Sequence, residues 1–302
     1  TETHYCIPKA ARIAGFKDRQ IRRIPVDARR RIDVSALSRA IDEDRAQGLS
    51  PFLIVANVGT TNTGAIDDIP GLLEIGRAHG LWVHADAAYG GFFRLAASGP
   101  SLMPRLEECD SITLDPHKGM FLPYGTGCLL VKDPQALARA HAMDAEYLHD
   151  VRAQASFNFS DLSPELSRDF RGLRIWLPLM AHGAPAFREA IEEKLRLTRF
   201  AYDALQADER FELLDEPQLS VIALRLRGRE GEAADQADRL NEELMRRVNA
   251  RGRVFLSSTR LDGRYVIRIC VLSFRTHLDR VQDAVQALRE EATSLLADAP
   301  RS

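Results

Sequence analysis

PFLIVANVGTTNTGAIDDIPGLLEIGRAHGLWVHADAA, residues 51 to 88, holds two apolar runs separated by one amphipathic segment. The first run, PFLIVANVG (51–59), is continuously apolar, as expected of a parallel strand covered on both faces. The segment IDDIPGLLEIGRAHG (66–80) has helical spacing, with Asp67 or Asp68 near its start and Gly80 at its end. LWVHADAA (81–88) reads as a second strand. Strand, helix and strand make a βαβ unit, and sheets built from such units carry their functional groups where the strands end. SITLDP (111–116) and GCLLVKD (127–133) supply further strands. The expectation is an α/β domain with a mainly parallel sheet over residues 1–182.

The last third differs. Residues 183–207 read as a charged connecting helix. SVIALRLRG (220–228), RVFLSST (253–259) and RYVIRICVLS (264–273) read as strands, with helices over about 232–251 and from about 276. Asp262-Gly263 between the last two strands is hairpin chemistry, so residues 183–302 are expected to form an antiparallel α+β domain. RGREGEAAD reads as a surface loop. The chain opens on Thr1, and THYCIPKAARIAGF already reads as domain interior, with a helix leading to Gly15. An N-terminal portion is therefore expected to be missing.

Composition excludes several function classes. The chain has 302 residues, 45% hydrophobic and 28% charged, with a net charge of -2. That balance fits a globular protein with a sizeable core and gives no electrostatic case for nucleic acid or an anionic membrane. The basic stretch IRRIPVDARRRID (21–33), interrupted by Pro25 and Asp27, reads as solvated surface, with a phosphate-binding patch as the alternative. Cys6, Cys109, Cys128 and Cys270 form no CxxC pair, and the eight histidines form no HExxH or Cys/His cluster. No metal site is expected. With no signal-peptide pattern and no apolar run of bilayer length, the expected location is the cytoplasm.

Two charged residues stand out at strand ends. Asp86 closes the strand in HADAAYGG, and Lys118 lies in ITLDPHKGMFLPYGTGCLLV (112–131), just past an apolar strand. A lysine there snorkels to water, finds a counter-charge or does chemistry. Taken alone, Asp86 reads as a helix cap. Taken together, the pair suits a carbonyl cofactor with a basic ring nitrogen. Pyridoxal phosphate has those needs: a lysine amine forms an imine with its aldehyde, and a carboxylate opposite keeps the pyridine nitrogen protonated.

HADAAYGG followed by LDPHKG resembles the group II pyridoxal-phosphate-dependent amino-acid decarboxylases, which include the aromatic-L-amino-acid, glutamate and histidine decarboxylases. The resemblance continues through VGTTNTGAIDDI (58–69), FRGLRIWLPLMAHG (170–183) and VIRICVLSFRT (266–276), so it spans essentially the whole chain. It implies a fold-type I large domain, partial here, with a small C-terminal domain. It also implies decarboxylation of an L-amino acid, aromatic side chains favoured, by a homodimer. Two alternatives stand beside it: an aldehyde synthase of the same fold, and an inactive truncated interaction partner.

By that resemblance Lys118 is the Schiff-base lysine and Asp86 the partner of the ring nitrogen. His4 stacks on the cofactor ring, Ala88 packs on its other face, and Thr60 lies beside the phenolic oxygen, with Thr61 the weaker candidate. His84 and His117 flank the site, His117 towards the phosphate. Tyr147 matches the tyrosine that protonates the substrate carbanion; aldehyde synthases commonly have phenylalanine there. One of Arg268 and Arg275 binds the substrate carboxylate or an interface acid, with Arg268 preferred, and simple solvation is the alternative for either. Ser167 stands at a position that varies with the substrate among plant relatives. Many relatives have Asn where this chain has Asp115, and an acid there repels phosphate unless it faces elsewhere or pairs with a cation. The family's swapped N-terminal segment and its Ser/Gly-rich phosphate cup lie upstream of the His4 motif. Without them the chain is expected to bind cofactor poorly and not to dimerise by itself.

Overall fold

The structure, a computed structural model, describes residues 2–143, 159–228 and 233–298. After α1 (Cys6–Ile13) and α2 (Val34–Ala46), the chain forms β1 (Leu53–Asn57), α3 (Ile69–His79) and β2 (Trp82–Asp86). Asp68 is the residue that caps α3, accepting from the Gly71 N–H at 3.3 Å, and Gly80 ends the helix at φ 66°. Asp67 turns inward instead. Its buried carboxylate accepts from the backbone N–H groups of Ile32 (2.7 Å) and Asn57 (2.6 Å) and from the Asn57 side chain (2.9 Å). Burial pushes its carboxyl above the usual range, and these hydrogen bonds pull against that shift.

Asp67 thus joins the strand edge to the segment leading into α2. Asp67→Ala would leave two buried backbone donors without a partner, at about 1–3 kcal/mol each. We expect a loss of about 3 kcal/mol in urea unfolding, while Asp68→Ala should cost only about 1 kcal/mol as a lost cap.

β3 (Ser111–Leu114) pairs parallel to β2, and β4 (Cys128–Val131) pairs antiparallel to β3, giving the order β1-β2-β3-β4. β1 and β2 are in parallel register from Leu53↔Trp82 to Asn57↔Asp86. One face carries Ile54, Ala56, Val83 and Ala85 into a core shared with α2 and α3. The other carries Leu53, Trp82, His84, Asp86, Ser111 and Thr113. The expectation of a strand covered on both faces is therefore corrected: Leu53 is 43% exposed, whereas Ile54 is 4% exposed. Exposure along this face is set by what packs against it: Leu53 is open, while Asn57 at the other end of β1 is buried.

α4 (Pro134–His141) precedes the long α5 (Leu173–Gln206), which begins well before the expected position 183. Gly183, at φ 74° and ψ 155°, breaks α5 into two helical halves. Its second half is anchored by the fully buried Lys194, whose Nζ donates to Glu193 (2.7 Å) and to the Thr276 carbonyl (2.7 Å).

The C-terminal part adds β5 (Phe211–Leu213), β6 (Val221–Leu226), α6 (Ala234–Ala250), β7 (Ser257–Leu261), β8 (Arg264–Cys270) and α7 (Leu278–Asp298). Its sheet is antiparallel in the order β5-β6-β8-β7. Asp262 (φ 51°) and Gly263 (φ 79°) make the expected two-residue hairpin turn. RVFLSST pairs only from Ser257 onward, and β5 was not expected from the sequence. Among the described residues no helix is long and apolar enough to cross a membrane.

Candidate active site

β2 and β3 deliver the two charges that the sequence singles out. Asp86 is the last residue of β2, in register with Thr113 of β3. After β3 the chain passes Asp115 and makes a helical turn, Pro116–Gly119, that carries Lys118. The two loops are sewn together by backbone: the Asp115 N–H donates to the Ala88 carbonyl at 3.2 Å, and the Ala87 N–H to the Thr113 carbonyl at 3.0 Å.

Lys118 has found a counter-charge. Its Nζ lies 2.8 Å from Asp115 Oδ2, and His117 Nε2 lies 3.6 Å from the same oxygen. The acidic residue at 115 thus pairs with a cation. His117 Nδ1 sits 2.8 Å from the Thr126 carbonyl, which only accepts, so Nδ1 carries a proton. Asp86 is different. Its carboxylate accepts from the Ala88 N–H at 3.3 Å, and no ion pair joins it to a cation among the described residues.

The half-open sheet face next to Asp86 is a polar ladder. Trp82 Nε1 donates to Ser111 Oγ (2.8 Å), which also meets His84 Nδ1 (2.8 Å), while His84 Nε2 meets Thr113 Oγ1 (3.2 Å). Both His84 nitrogens therefore have protein partners. Burial lowers its pKa, with Asp86 pulling the other way, so the ring is neutral near pH 7. His4 Nδ1 accepts from the Cys6 N–H at 3.2 Å, at the start of α1. Desolvation raises the Cys6 thiol, Asp86 raises it further and Lys118 opposes. Asp86, Ala88, His117 and Lys118 are thus brought to the neighbouring ends of β2 and β3.

Other expected residues stand differently. The Thr60 hydroxyl is buried and serves its own loop, meeting Thr63 Oγ1 at 3.0 Å and accepting from the Ala65 N–H at 3.1 Å. Each Arg268 nitrogen has a protein partner: the Thr61 carbonyl, the Asn62 carbonyl (2.9 Å) and Ser257 Oγ (3.2 Å). Ser167 is exposed. Tyr147 lies outside the described residues. Sequence reasoning missed Asp115 as the partner of Lys118, although their i,i+3 spacing across a Pro-started turn was a usable signal. It also missed Ser111 and Thr113, which only the strand register reveals.

The residues fit pyridoxal phosphate. A carboxylate without a cation suits a protonated ring nitrogen, a partly exposed lysine suits an aldehyde, and the small Ala88 leaves room for a flat ring. Comparison with known proteins agrees. Residues 1–227 match the model of the pyridoxal-dependent decarboxylase conserved domain. The chain belongs to that family.

This decarboxylase-family chain is 35% identical over 297 residues to an aromatic-L-amino-acid decarboxylase of Bacillus atrophaeus, covering 97% of the chain and 62% of that protein. A crystal structure of Oryza sativa TDC with PLP and tryptamine superposes with a TM-score of 0.92 at 28% identity, covering 97% of this chain and 61% of that one. A Rhodiola rosea 4-hydroxyphenylacetaldehyde synthase superposes with a TM-score of 0.86 at 26% identity, covering 97% and 61%. The fold is therefore that of the fold-type I enzymes, and the chain spans about three fifths of the length of the proteins it matches.

Proposed function

We propose that the full-length protein decarboxylates an L-amino acid, aromatic side chains favoured, to the amine and carbon dioxide. The observation that carries this reading is the Asp86 carboxylate, without an ion-paired cation among the described residues, at the end of the strand next to the one whose exit carries Lys118, itself held by Asp115. When bound, pyridoxal phosphate supplies an aldehyde and a protonated ring that takes up the electron pair left by carbon dioxide. Asp86 holds the proton on the ring nitrogen. Lys118 would hold the cofactor through its amine, and Asp115, 2.8 Å from that amine, would orient it. His4 would cover one face of the ring, and the small Ala88 would leave room at the other. Thr60, His84 and His117 line the surround, His117 towards the phosphate.

Tyr147 is proposed to deliver the proton to the α-carbon. The aromatic preference is supported by the Bacillus and Oryza relatives, as their names and bound ligands describe them. A homodimer is supported by Leu173, Trp176, Leu177 and Met180, which share one exposed helical stripe at i, i+3, i+4 and i+7. A cytoplasmic location is supported by the four cysteines, all free.

The likeness to an aldehyde synthase makes oxidative deamination the second reading. Product analysis of the full-length protein, supplied with aromatic L-amino acids with and without oxygen, separates the two. The decarboxylase gives amine and carbon dioxide regardless of oxygen. Tyr147→Phe should lower amine formation by about a hundredfold, the usual worth of a positioned general acid. Aldehyde, ammonia and peroxide should rise in its place when oxygen is present. Parental amine yield from this variant, with no aldehyde, would return Tyr147 to a packing role.

A further inference from the structure

We infer that Arg268 is a positioning residue, whose guanidinium clamps the Thr61 and Asn62 carbonyls and so ties the Thr60 loop to the C-terminal sheet. This deepens the reading of the site as a cofactor site and rests on it. Arg268 lies mid-strand in β8, paired with Ala223 of β6 and Ser257 of β7. The edge formed by Nε and Nη2, which in a carboxylate-binding arginine grips two oxygens in parallel, here grips two successive backbone carbonyls. Nη1 is steadied by Ser257 Oγ at 3.2 Å.

Asn62 is the hub of this clamp. Besides giving its carbonyl to Arg268, its Oδ1 accepts from Thr259 Oγ1 at 2.7 Å, and its Nδ2 donates to Glu2 Oε2 at 2.8 Å. One residue therefore links β7, β8, the Thr60 loop and the segment that carries His4. A second tie runs in parallel. The Tyr89 hydroxyl, in the loop that follows Asp86, accepts from the Ser220 N–H at 3.0 Å and shares a hydrogen bond with Ser220 Oγ at 2.7 Å. The two loops also touch each other through Gly59. This residue has φ 88°, and a Cβ there would lie 2.6 Å from the Tyr89 ring. The C-terminal sheet thus sets the places of Thr60, Asp86 and His4 without touching a reacting atom.

The test is hydrogen exchange by mass spectrometry on the cofactor-free chain, comparing the parent with Arg268→Lys, Tyr89→Phe and Thr259→Val. Lysine keeps the charge and most of the stem but loses the fork. Arg268→Lys should speed amide exchange across residues 59–66 by about tenfold or more, the weight of one lost charge-assisted hydrogen bond. β6 and β8 should stay as protected as in the parent. Tyr89→Phe should do the same for residues 86–91, and Thr259→Val should repeat the Arg268→Lys pattern more weakly should the lysine variant fold poorly. Exchange in both loops at the parental rate would overturn the inference.

In the full-length protein, Arg268→Lys should also weaken pyridoxal phosphate binding by about tenfold, with the amino-acid KM unchanged at saturating cofactor. A raised KM with unaltered loop exchange would make Arg268 a substrate ligand instead. Because the exchange arm uses neither cofactor nor substrate, its failure is separate from any failure of the proposed reaction.

Discussion

Lys118→Ala in the full-length protein is expected to reduce amine formation to background, a loss of at least about a thousandfold, and to abolish the absorption of lysine-bound cofactor. Pro116 starts a helical turn directly after β3, and that turn places Lys118 Nζ at 2.8 Å from Asp115 beside the end of β2. A lysine held in this way by its own turn is presented to one place only. Alanine removes the one primary amine in this cluster and leaves the turn intact, because the Lys118 backbone N–H still donates to the Asp115 carbonyl at 2.8 Å. Folding should therefore survive while covalent attachment is lost. Added small amines that restore turnover would support the same reading, since they supply the missing nitrogen without repairing the fold.

Asp86→Asn should slow turnover by about ten- to a hundredfold at saturating cofactor, with folding stability changed by less than about 0.5 kcal/mol. A charge-assisted hydrogen bond is worth about 1.5–3 kcal/mol, and asparagine offers the ring nitrogen a neutral partner in its place. The ring would then sit largely unprotonated and take up electrons poorly. The small effect on stability follows from what Asp86 touches among the described residues: its carboxylate accepts the long 3.3 Å bond from the Ala88 N–H, which an asparagine oxygen accepts equally well. Steady-state kinetics at several cofactor concentrations, beside a urea titration, separates the two effects. Unchanged turnover would remove Asp86 from the ring nitrogen.

Much of the architecture was legible because local signals agree with one another. The βαβ unit showed itself in the periodicity of 66–80, in an aspartate before the helix and in Gly80 after it, and each of those features has a backbone consequence. What was not legible depended on partners distant in sequence. Whether Asp67 or Asp68 caps α3 is decided by Ile32 and Asn57, which give Asp67 a buried role. The open face of the sheet could not be read from an apolar run, because exposure is set by what packs against the strand. β5 is too short to carry a periodicity, and VFL in RVFLSST (254–256) is apolar without pairing.

The site divides in the same way. The strand-end positions of Asp86 and Lys118 were readable, whereas their proposed roles came from taking the two together and from the family resemblance. The Asp115 pairing was readable in principle from its spacing to Lys118. The ladder from Trp82 through Ser111 and His84 to Thr113 needs the β2–β3 register, which no local pattern contains. Arg268 sat in a recognisable strand, yet its role comes from carbonyls of a loop in the other sheet's domain. Tyr147 lies outside the described residues, so its part in the reaction rests on chemistry still to be tested.

The central claim is that Lys118 is the residue that holds pyridoxal phosphate, with Asp86 facing the ring nitrogen. Borohydride reduction of the cofactor-loaded full-length protein, followed by peptide mass mapping, tests it most directly. The account predicts a single pyridoxyl-phosphate adduct on Lys118 in the peptide that contains DPHKG. An adduct on another lysine, with Lys118 unmodified, would contradict it.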